Sequence, residues 1–235
     1  AEAANWRRDR IYEQLGFDTF DDITTMEDAD TFRDLVTDRA TYERVLEKID
    51  EGEGPQFVFD VTIQNHGAYT VEDYPAEVTV EDAPGAYPKA EQYLTLANKT
   101  DEAFRQLVEY FEQQTEPTII VMFGDHQPSV EQEFLDMAYG VSEDGMTMEQ
   151  YMGRFRVPFV LWANYDIEED YIETTSLNYL STLLVEKAGL PLSPWQNYLK
   201  NLSESYPAIT ANAWMDDEGK WHSNTAQNIT CLLYT

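Results

Sequence analysis

Thr118-Ile119-Ile120-Val121-Met122-Phe123-Gly124-Asp125-His126-Gln127-Pro128 is the stretch on which the reading of this chain turns. Its five apolar residues, mostly β-branched, predict a strand buried on both faces, as in the centre of an α/β sheet. The strand ends in Gly-Asp-His, and Pro128 forbids its simple continuation. An acid and an imidazole are thus delivered side by side at the C-terminal edge of a sheet, where open α/β folds place their ligands. Asp125 offers a hard oxygen and His126 a neutral nitrogen, so the pair can hold a divalent metal. The alternative for the bare residues is a strand-end carboxylate capping a loop beside a solvated histidine.

Upstream, residues 89–114 predict a long amphipathic helix with Tyr93, Leu94, Ala97, Phe104, Leu107, Val108 and Phe111 as its core stripe. Before it, residues 56–63 (QFVFDVTI) predict a second buried strand, which ends in Gln64-Asn65-His66-Gly67. Two strands joined by a long helix are the signature of a parallel sheet, and both end in a polar cluster containing histidine. The connecting loop, 71–88, leaves room for an edge strand at 76–80. Nearer the start, residues 8–15 predict a short helix closed by Gly16. Residues 27–36 are acidic and helix-compatible. Asp38 is expected to cap a helix whose Tyr42, Val45, Leu46 and Ile49 share one face, and Gly52 and Gly54-Pro55 end it.

Downstream, short helices are expected at 131–139 and 146–155, and a third strand at 157–163. A helix capped by Ser176 runs to Lys187, and Ser193-Pro194 opens another. Residues 213–223 read as a hairpin, with Trp214 and Trp221 flanking the Asp217-Glu218-Gly219 turn. Helices and strands alternate without repeats or low-complexity linkers. Residues 1–235 therefore read as a single α/β domain, with 207–235 a peripheral hairpin and tail.

At 235 residues the chain can bury a sizeable core, and 43% apolar content with 13% aromatics sets it apart from disordered acidic chains. A net charge of −30 would repel nucleic acid and anionic membranes, so an anionic substrate needs a metal or local arginines to bind. With Cys231 the sole cysteine, neither an internal disulfide nor a Cys-based zinc site is possible. No signal peptide and no apolar run long enough to span a bilayer is evident, and the chain reads as soluble.

Three elements together carry a family resemblance: Asn5-Trp6-Arg7-Arg8 with Leu15-Gly16-Phe17, then FVFDVTIQNHGAY over 57–69, then IIVMFGDHQP over 119–128. In this order they resemble the sulfatase-like domain of bacterial lipoteichoic acid synthases and related phosphoglycerol transferases, in the alkaline phosphatase superfamily. The resemblance covers most of the chain, 5–206. It implies an α/β fold, an alkaline-phosphatase-like three-layer α/β/α domain with a mostly parallel sheet, here incomplete. By the same resemblance Asp125 and His126 are metal ligands, and His66 is a catalytic residue reaching the phosphate or leaving group. Trp6 and Arg8 would contact the phosphoglycerol headgroup. The implied cofactor is a divalent metal ion, manganese first, with magnesium, zinc or calcium as the others.

The implied reaction is transfer or hydrolysis of phosphate or sulfate esters, most like phosphoglycerol transfer from a lipid donor to a cell-envelope glycopolymer. A sulfatase, a phosphodiesterase or a non-catalytic binding domain on the same scaffold are the alternatives. Family members use a threonine nucleophile and an acidic ligand on strands N-terminal to everything seen here. Neither has a counterpart, and Thr70 and Thr118 lie in the wrong places. The chain is thus expected to be the C-terminal part of a catalytic domain, inactive alone. Its expected partners are an anionic lipid-linked or glycopolymer substrate and the N-terminal half of its own domain, with self-association of the fragment and no nucleic acid. The resemblance places the parent at the extracellular face of the bacterial cytoplasmic membrane, its anchor in an N-terminal region outside the chain.

Other readings compete at several positions. Trp6 could anchor a helix in the core, and Arg8 could pair with nearby acids. Asn65 could donate to substrate but reads rather as shaping the turn before Gly67, Gln127 could line a pocket, and His222 reads as a surface residue. The sequon Asn228-Ile229-Thr230 is read as coincidental.

Overall fold

The computed structural model describes residues 5–70, 72 and 74–224, so Cys231 and the sequon at Asn228 lie outside the described residues. The chain divides into two units, one of residues 1–113 with 128–134 and one of 114–127 with 135–235.

The first unit opens with α1 (Arg8–Gln14), which ends as expected: Leu15 is its C-cap and Gly16 takes a left-handed φ of 89°. Tyr12 of α1 sits 5.3 Å from the rings of Phe17 and Phe20 and 6.2 Å from Phe59. This aromatic group fastens α1 to the segment where a buried strand was expected. Residues 56–63 are extended but belong to no ladder, and Phe57, Val58 and Phe59 are exposed. The buried-strand reading is corrected here: β-branched and aromatic residues favour extension, but they do not supply a pairing partner.

The helix-compatible stretch 27–36 instead forms a two-residue hairpin of β1 (Thr31–Phe32) and β2 (Leu35–Val36). Its turn residues, Arg33 and Asp34, both have left-handed φ, 56° and 62°. Such turns are usually marked by Asn-Gly, and without that mark the hairpin was not legible. α2 (Asp38–Glu51) follows, capped by Thr37 rather than Asp38: the Thr37 hydroxyl accepts from the Ala40 N–H at 3.2 Å. Asp38 is the first helical residue and is wholly buried.

α3 (Pro88–Glu112) is the expected long helix. Its capping carboxylate comes from far along the chain, with Glu131 accepting from the N–H groups of Lys89 and Ala90 at 2.8 and 3.0 Å. The buried face keeps only Leu107 and Phe111 of the expected stripe. It runs through Gln92, Thr95, Leu96, Thr100, Ala103, Leu107 and Phe111, while Tyr93, Leu94, Ala97, Phe104 and Val108 are only half-buried. Polar residues take the inner face because the loop 74–85 needs donors and acceptors there. Gln92 donates to the Tyr74 carbonyl, Thr95 accepts from the N–H groups of Glu77 and Val78, and Glu91 accepts from those of Val80 and Gly85. Those side-chain bonds replace the expected edge strand at 76–80.

The second unit contains β3 (Ile119–Phe123) and β4 (Phe159–Ala163). They pair antiparallel, from Ile119 opposite Ala163 to Phe123 opposite Phe159. β3 is half-buried, not sealed on both faces, and every strand pair among the described residues is antiparallel. The ladder is closed at one end by Asn164, whose carbonyl oxygen Oδ1 accepts from the Thr118 N–H, and at the other by Gly124, whose N–H donates to Pro158.

α4 (Gln132–Tyr139) straddles the unit boundary, and α5 (Met148–Gly153) starts with a Thr147–Gln150 capping box. α6 (Leu177–Lys187) and α7 (Pro194–Ser205) occur where expected. A three-stranded sheet of β5 (Ala208–Ile209), β6 (Ala213–Met215) and β7 (Trp221–Ser223) contains the expected Trp-flanked hairpin. It builds a small core of Met152, Ala208, Ala213, Met215 and Trp221. Among the described residues no helix is long and apolar enough to cross a membrane.

Candidate active site

Gly124 is the pivot at the end of β3. A Cβ there would lie 3.0 Å from the Cβ of Val157, so the backbone approaches the neighbouring segment as only glycine allows. The next two side chains leave the sheet: Asp125 is 86% and His126 73% exposed. One carboxylate oxygen of Asp125, Oδ1, accepts from the His126 N–H at 2.8 Å, which leaves Oδ2 for another partner. The His126 Nδ1 lies 2.9 Å from the Gln127 carbonyl oxygen. A carbonyl only accepts, so Nδ1 carries the proton in the neutral ring and the Nε2 lone pair is bare. Nε2 lies 3.5 Å from Asp125 Oδ2, a contact that a protonated ring makes as an ion pair and a neutral Nδ1–H ring makes around a shared cation. Two acceptors converging in this way fit a cation between them, and oxygen with imidazole nitrogen suits a divalent metal. Gln127 does not line a pocket: its amide donates to the Arg156 carbonyl and pins the loop.

His66 is exposed on a loop of the first unit. Its ring has the same lock, with Nδ1 at 2.9 Å from the Gly67 carbonyl and Nε2 left as an acceptor. Beneath it lies a connected set of hydrogen bonds, although Arg33 Nε, Asp38 Oδ1 and Asp60 Oδ2 make none among the described residues. Gln64, 2% exposed, accepts from the Asp38 N–H and donates to Thr100. Asn65 also donates to Thr100, at 2.8 Å, and the Thr100 hydroxyl donates to Asp38 at 2.6 Å. Tyr69 donates to the Asn65 carbonyl, and the Arg33 guanidinium to those of Gln64, His66 and Ala68. Asn65 is therefore part of the loop's framework.

Two carboxyls sit inside this framework. Burial pushes Asp38 up from the ordinary carboxylate range, against hydrogen bonds from Thr100, Thr62 and the Gln64 backbone. Burial and the neighbouring Asp38 push Asp60 up to about 6, and burial beside both acids drives the Tyr42 phenol well above its usual range. Arg33, Asp38, Gln64 and Thr100 were not singled out in the sequence. Only the oddity of polar residues at helical core positions could have signalled them.

Trp6 and Arg8 lie at the entry to α1 in the first unit. Trp6 has φ 59° and is 83% exposed, which rules out a core anchor; Arg8 is the first residue of the helix and half-buried. Trp6, Arg8 and His66 thus belong to the first unit, and Asp125 and His126 to the second. Among the described residues no three His, Cys, Asp or Glu side chains gather as a metal would need. His222 is no plain surface residue: its ring stacks on Trp214 at 4.3 Å and Nε2 meets Asp216 Oδ2 at 2.5 Å, and that contact holds the Asp216 carboxyl below its usual range.

Comparison with known proteins adds family evidence to this geometry. The sulfatase family profile matches residues 1–190. A Rhizobium meliloti (strain 1021) protein named for cyclic beta-1,2-glucan modification is 26% identical over 223 residues, 92% of this chain and 35% of that protein. Lipoteichoic acid synthase 1 of Bacillus subtilis (strain 168) is 24% identical over 125 residues, 52% of this chain and 19% of the synthase. The chain therefore spans about a third or less of these relatives' length. Among solved structures, Streptococcus pyogenes phosphoglycerol transferase GacH, in complex with sn-glycerol-1-phosphate, superposes with a TM-score of 0.71 at 21% identity, over 90% of this chain and 54% of that one.

Proposed function

This chain belongs to the sulfatase family and has part of the α/β fold of its alkaline phosphatase relatives, and on that premise we propose that it serves metal-dependent transfer of a phosphoester group. The names of two similar proteins, a lipoteichoic acid synthase and a phosphoglycerol transferase, support phosphoglycerol transfer, here proposed from a lipid donor to a cell-envelope glycopolymer. The observation that carries the reading is the Asp125–His126 doublet, a carboxylate oxygen and a ring nitrogen 3.5 Å apart on an exposed turn at the end of β3.

Asp125 and His126 would hold the divalent ion, with manganese the first candidate. When bound, the ion supplies a Lewis acid for the phosphoryl oxygens. The chain's own residues supply the rest. His66, with Nδ1 protonated, presents Nε2 as an acceptor; once protonated it can donate to a departing oxygen. Arg8 would neutralise a non-bridging oxygen, and exposed Trp6 would give the glycerol headgroup an apolar face. The net charge of −30 makes these few cations and the metal the means by which an anionic substrate is tolerated.

Neither the nucleophile nor an acidic third ligand is identified in this chain, so we propose that both come from chain outside these residues. Two protein ligands hold a divalent ion weakly. Isothermal titration of the 235-residue chain with manganese should therefore show only weak binding, abolished by Asp125→Ala. Tight one-to-one binding, or binding indifferent to Asp125→Ala, overturns the assignment of the doublet.

A further inference from the structure

Arg33 is a buried cation without an acid. It is 7% exposed, and among the described residues its charged contacts are three backbone carbonyls and an aromatic face. Nη1 donates to Ala68 at 2.9 Å, Nη2 to Gln64 at 3.1 Å and to His66 at 2.6 Å, and the Tyr69 ring centroid lies 5.7 Å from the guanidinium carbon. Burying a guanidinium costs several kcal/mol unless its bonds are good. An apolar residue of similar volume would avoid that cost but would strip the donors from three carbonyls. All three hydrogen bonds fall on one loop, and that loop carries His66.

We propose that Arg33 is the positioning residue of His66: its planar fork gathers the carbonyls of residues 64, 66 and 68, which curls the backbone so that the Gly67 carbonyl meets Nδ1 and the Nε2 lone pair is held toward solvent. The geometry is specific to arginine. Lysine offers one point of attachment on a flexible stem, whereas the fork fixes carbonyls two residues apart in a single plane. The opposite side of the loop is held by Gln64 and Asn65 on Thr100, and Tyr69 holds the Asn65 carbonyl, while Arg33 grips those of residues 64, 66 and 68. Arg33 touches no reacting atom in this account and acts through the histidine. The consequence for catalysis rests on the reading of His66 given above, but the effect on the ring does not.

The test is the tautomer of His66 in the nitrogen-15 histidine spectrum of the chain, which has three histidines, with His66→Gln used to identify the signal. Above the ring's titration the unaltered protein should show His66 with its proton on Nδ1. A proton on Nε2 there overturns the proposal before any variant is made. Arg33→Met should shift His66 toward the Nε2–H form while leaving His126 and His222 unchanged. Arg33→Lys, which keeps the charge and most of the volume, should fold and give an intermediate mixture; should Arg33→Met fail to fold, Arg33→Lys carries the test. An unshifted His66 in a folded variant overturns the proposal. Loss of an orienting partner of this kind costs about 10–100-fold in activity. In the longer protein that supplies the nucleophile, turnover of the phosphoester substrate should fall by that much through kcat, with KM little changed. A shifted tautomer with unchanged turnover would leave the positioning role standing and sink the assignment of His66 instead.

Discussion

The two histidine-bearing loops share one device and differ in everything beneath it. In both, the ring's Nδ1 meets the carbonyl of the following residue at 2.9 Å and Nε2 is left as an acceptor. Under His66 lies a buried polar lattice of Arg33, Asp38, Gln64 and Thr100, each less than a tenth exposed. Under Asp125–His126 lie a two-stranded ladder, one glycine and the Gln127 bond to Arg156. A backbone curl sets the imidazole's tautomer in both loops, but under His66 that curl is held by the lattice. It fixes where the ring stands, at the cost of buried charge. The exposed doublet needs no such lattice if a cation, once bound, orders both side chains itself.

Exposure gives the sharpest way to break the comparison. In the longer protein that supplies the nucleophile, Asp125→Ala and His126→Ala should each reduce metal-dependent turnover by more than about 100-fold, beyond the loss of an outer partner. They should move stability by no more than about 0.5 kcal/mol, as surface substitutions do. Turnover and thermal melting on the same samples check both halves, and a doublet variant that unfolds would mean the loop is structural. Thr100→Val should do the reverse to the His66 loop. It removes the 2.6 Å bond to Asp38 and the 2.8 Å bond from Asn65, leaving a buried carboxylate short of a donor. The expected cost is about 2–3 kcal/mol, read as a lowered urea midpoint.

The lattice should also declare itself through pH. Asp60 has its carboxyl raised to about 6 in the folded state, from an ordinary value of 3.8. The folded state then binds the proton more tightly than the unfolded chain does. This group's contribution is most favourable below about 3.8 and is lost as pH rises to about 6. The difference corresponds to roughly 2–3 kcal/mol at most. Asp60→Asn should raise stability at pH 7 by about 1–2 kcal/mol and erase that slope between pH 4 and 6 in chemical denaturation. A variant no more stable than the parent at neutral pH would remove Asp60 from the buried lattice.

What the sequence made legible divides along the same line. Helix periodicity and caps located α1, α2, α3, α6 and α7, and Trp214 and Trp221 marked the hairpin, because each depends on neighbours within a few residues. The apolar run before Gly124-Asp125-His126 likewise located β3. Its antiparallel partner was not legible, since pairing is a long-range choice that β-propensity does not encode. Residues 56–63 fail for the same reason: their composition reads as strand, yet Phe57 is 70% exposed. The lattice escaped notice because its logic runs against the hydrophobic pattern. Gln92, Thr95 and Thr100 occupy the inner face of α3 to bond loops that approach from 18 to 36 residues away. Arg33 gave no hairpin signal, since its left-handed turn lacks the usual Asn-Gly.

The smallest effect comes from one substitution made in both loops. Gly67 and Gly124 each precede or follow a site residue, and neither has the left-handed φ that would strain an alanine. At Gly67 a Cβ would meet only the Tyr69 ring, at 3.8 Å, an ordinary contact, so Gly67→Ala should be neutral or stabilise by about 0.5 kcal/mol through the unfolded chain. At Gly124 the added carbon meets Val157 at 3.0 Å, and the valine must give way within a ladder that supports the doublet, so Gly124→Ala should cost about 1 kcal/mol. The opposite signs follow from where each loop keeps its rigidity. The His66 loop is held by buried partners away from its glycine, whereas the doublet depends on the close approach at its own. Pairing Gly124→Ala with Val157→Ala sharpens this further, because clearing the obstructing side chain should recover part of the loss. If the double variant melts no higher than the two separate losses predict, the ladder rather than the glycine contact sets the position of Asp125 and His126.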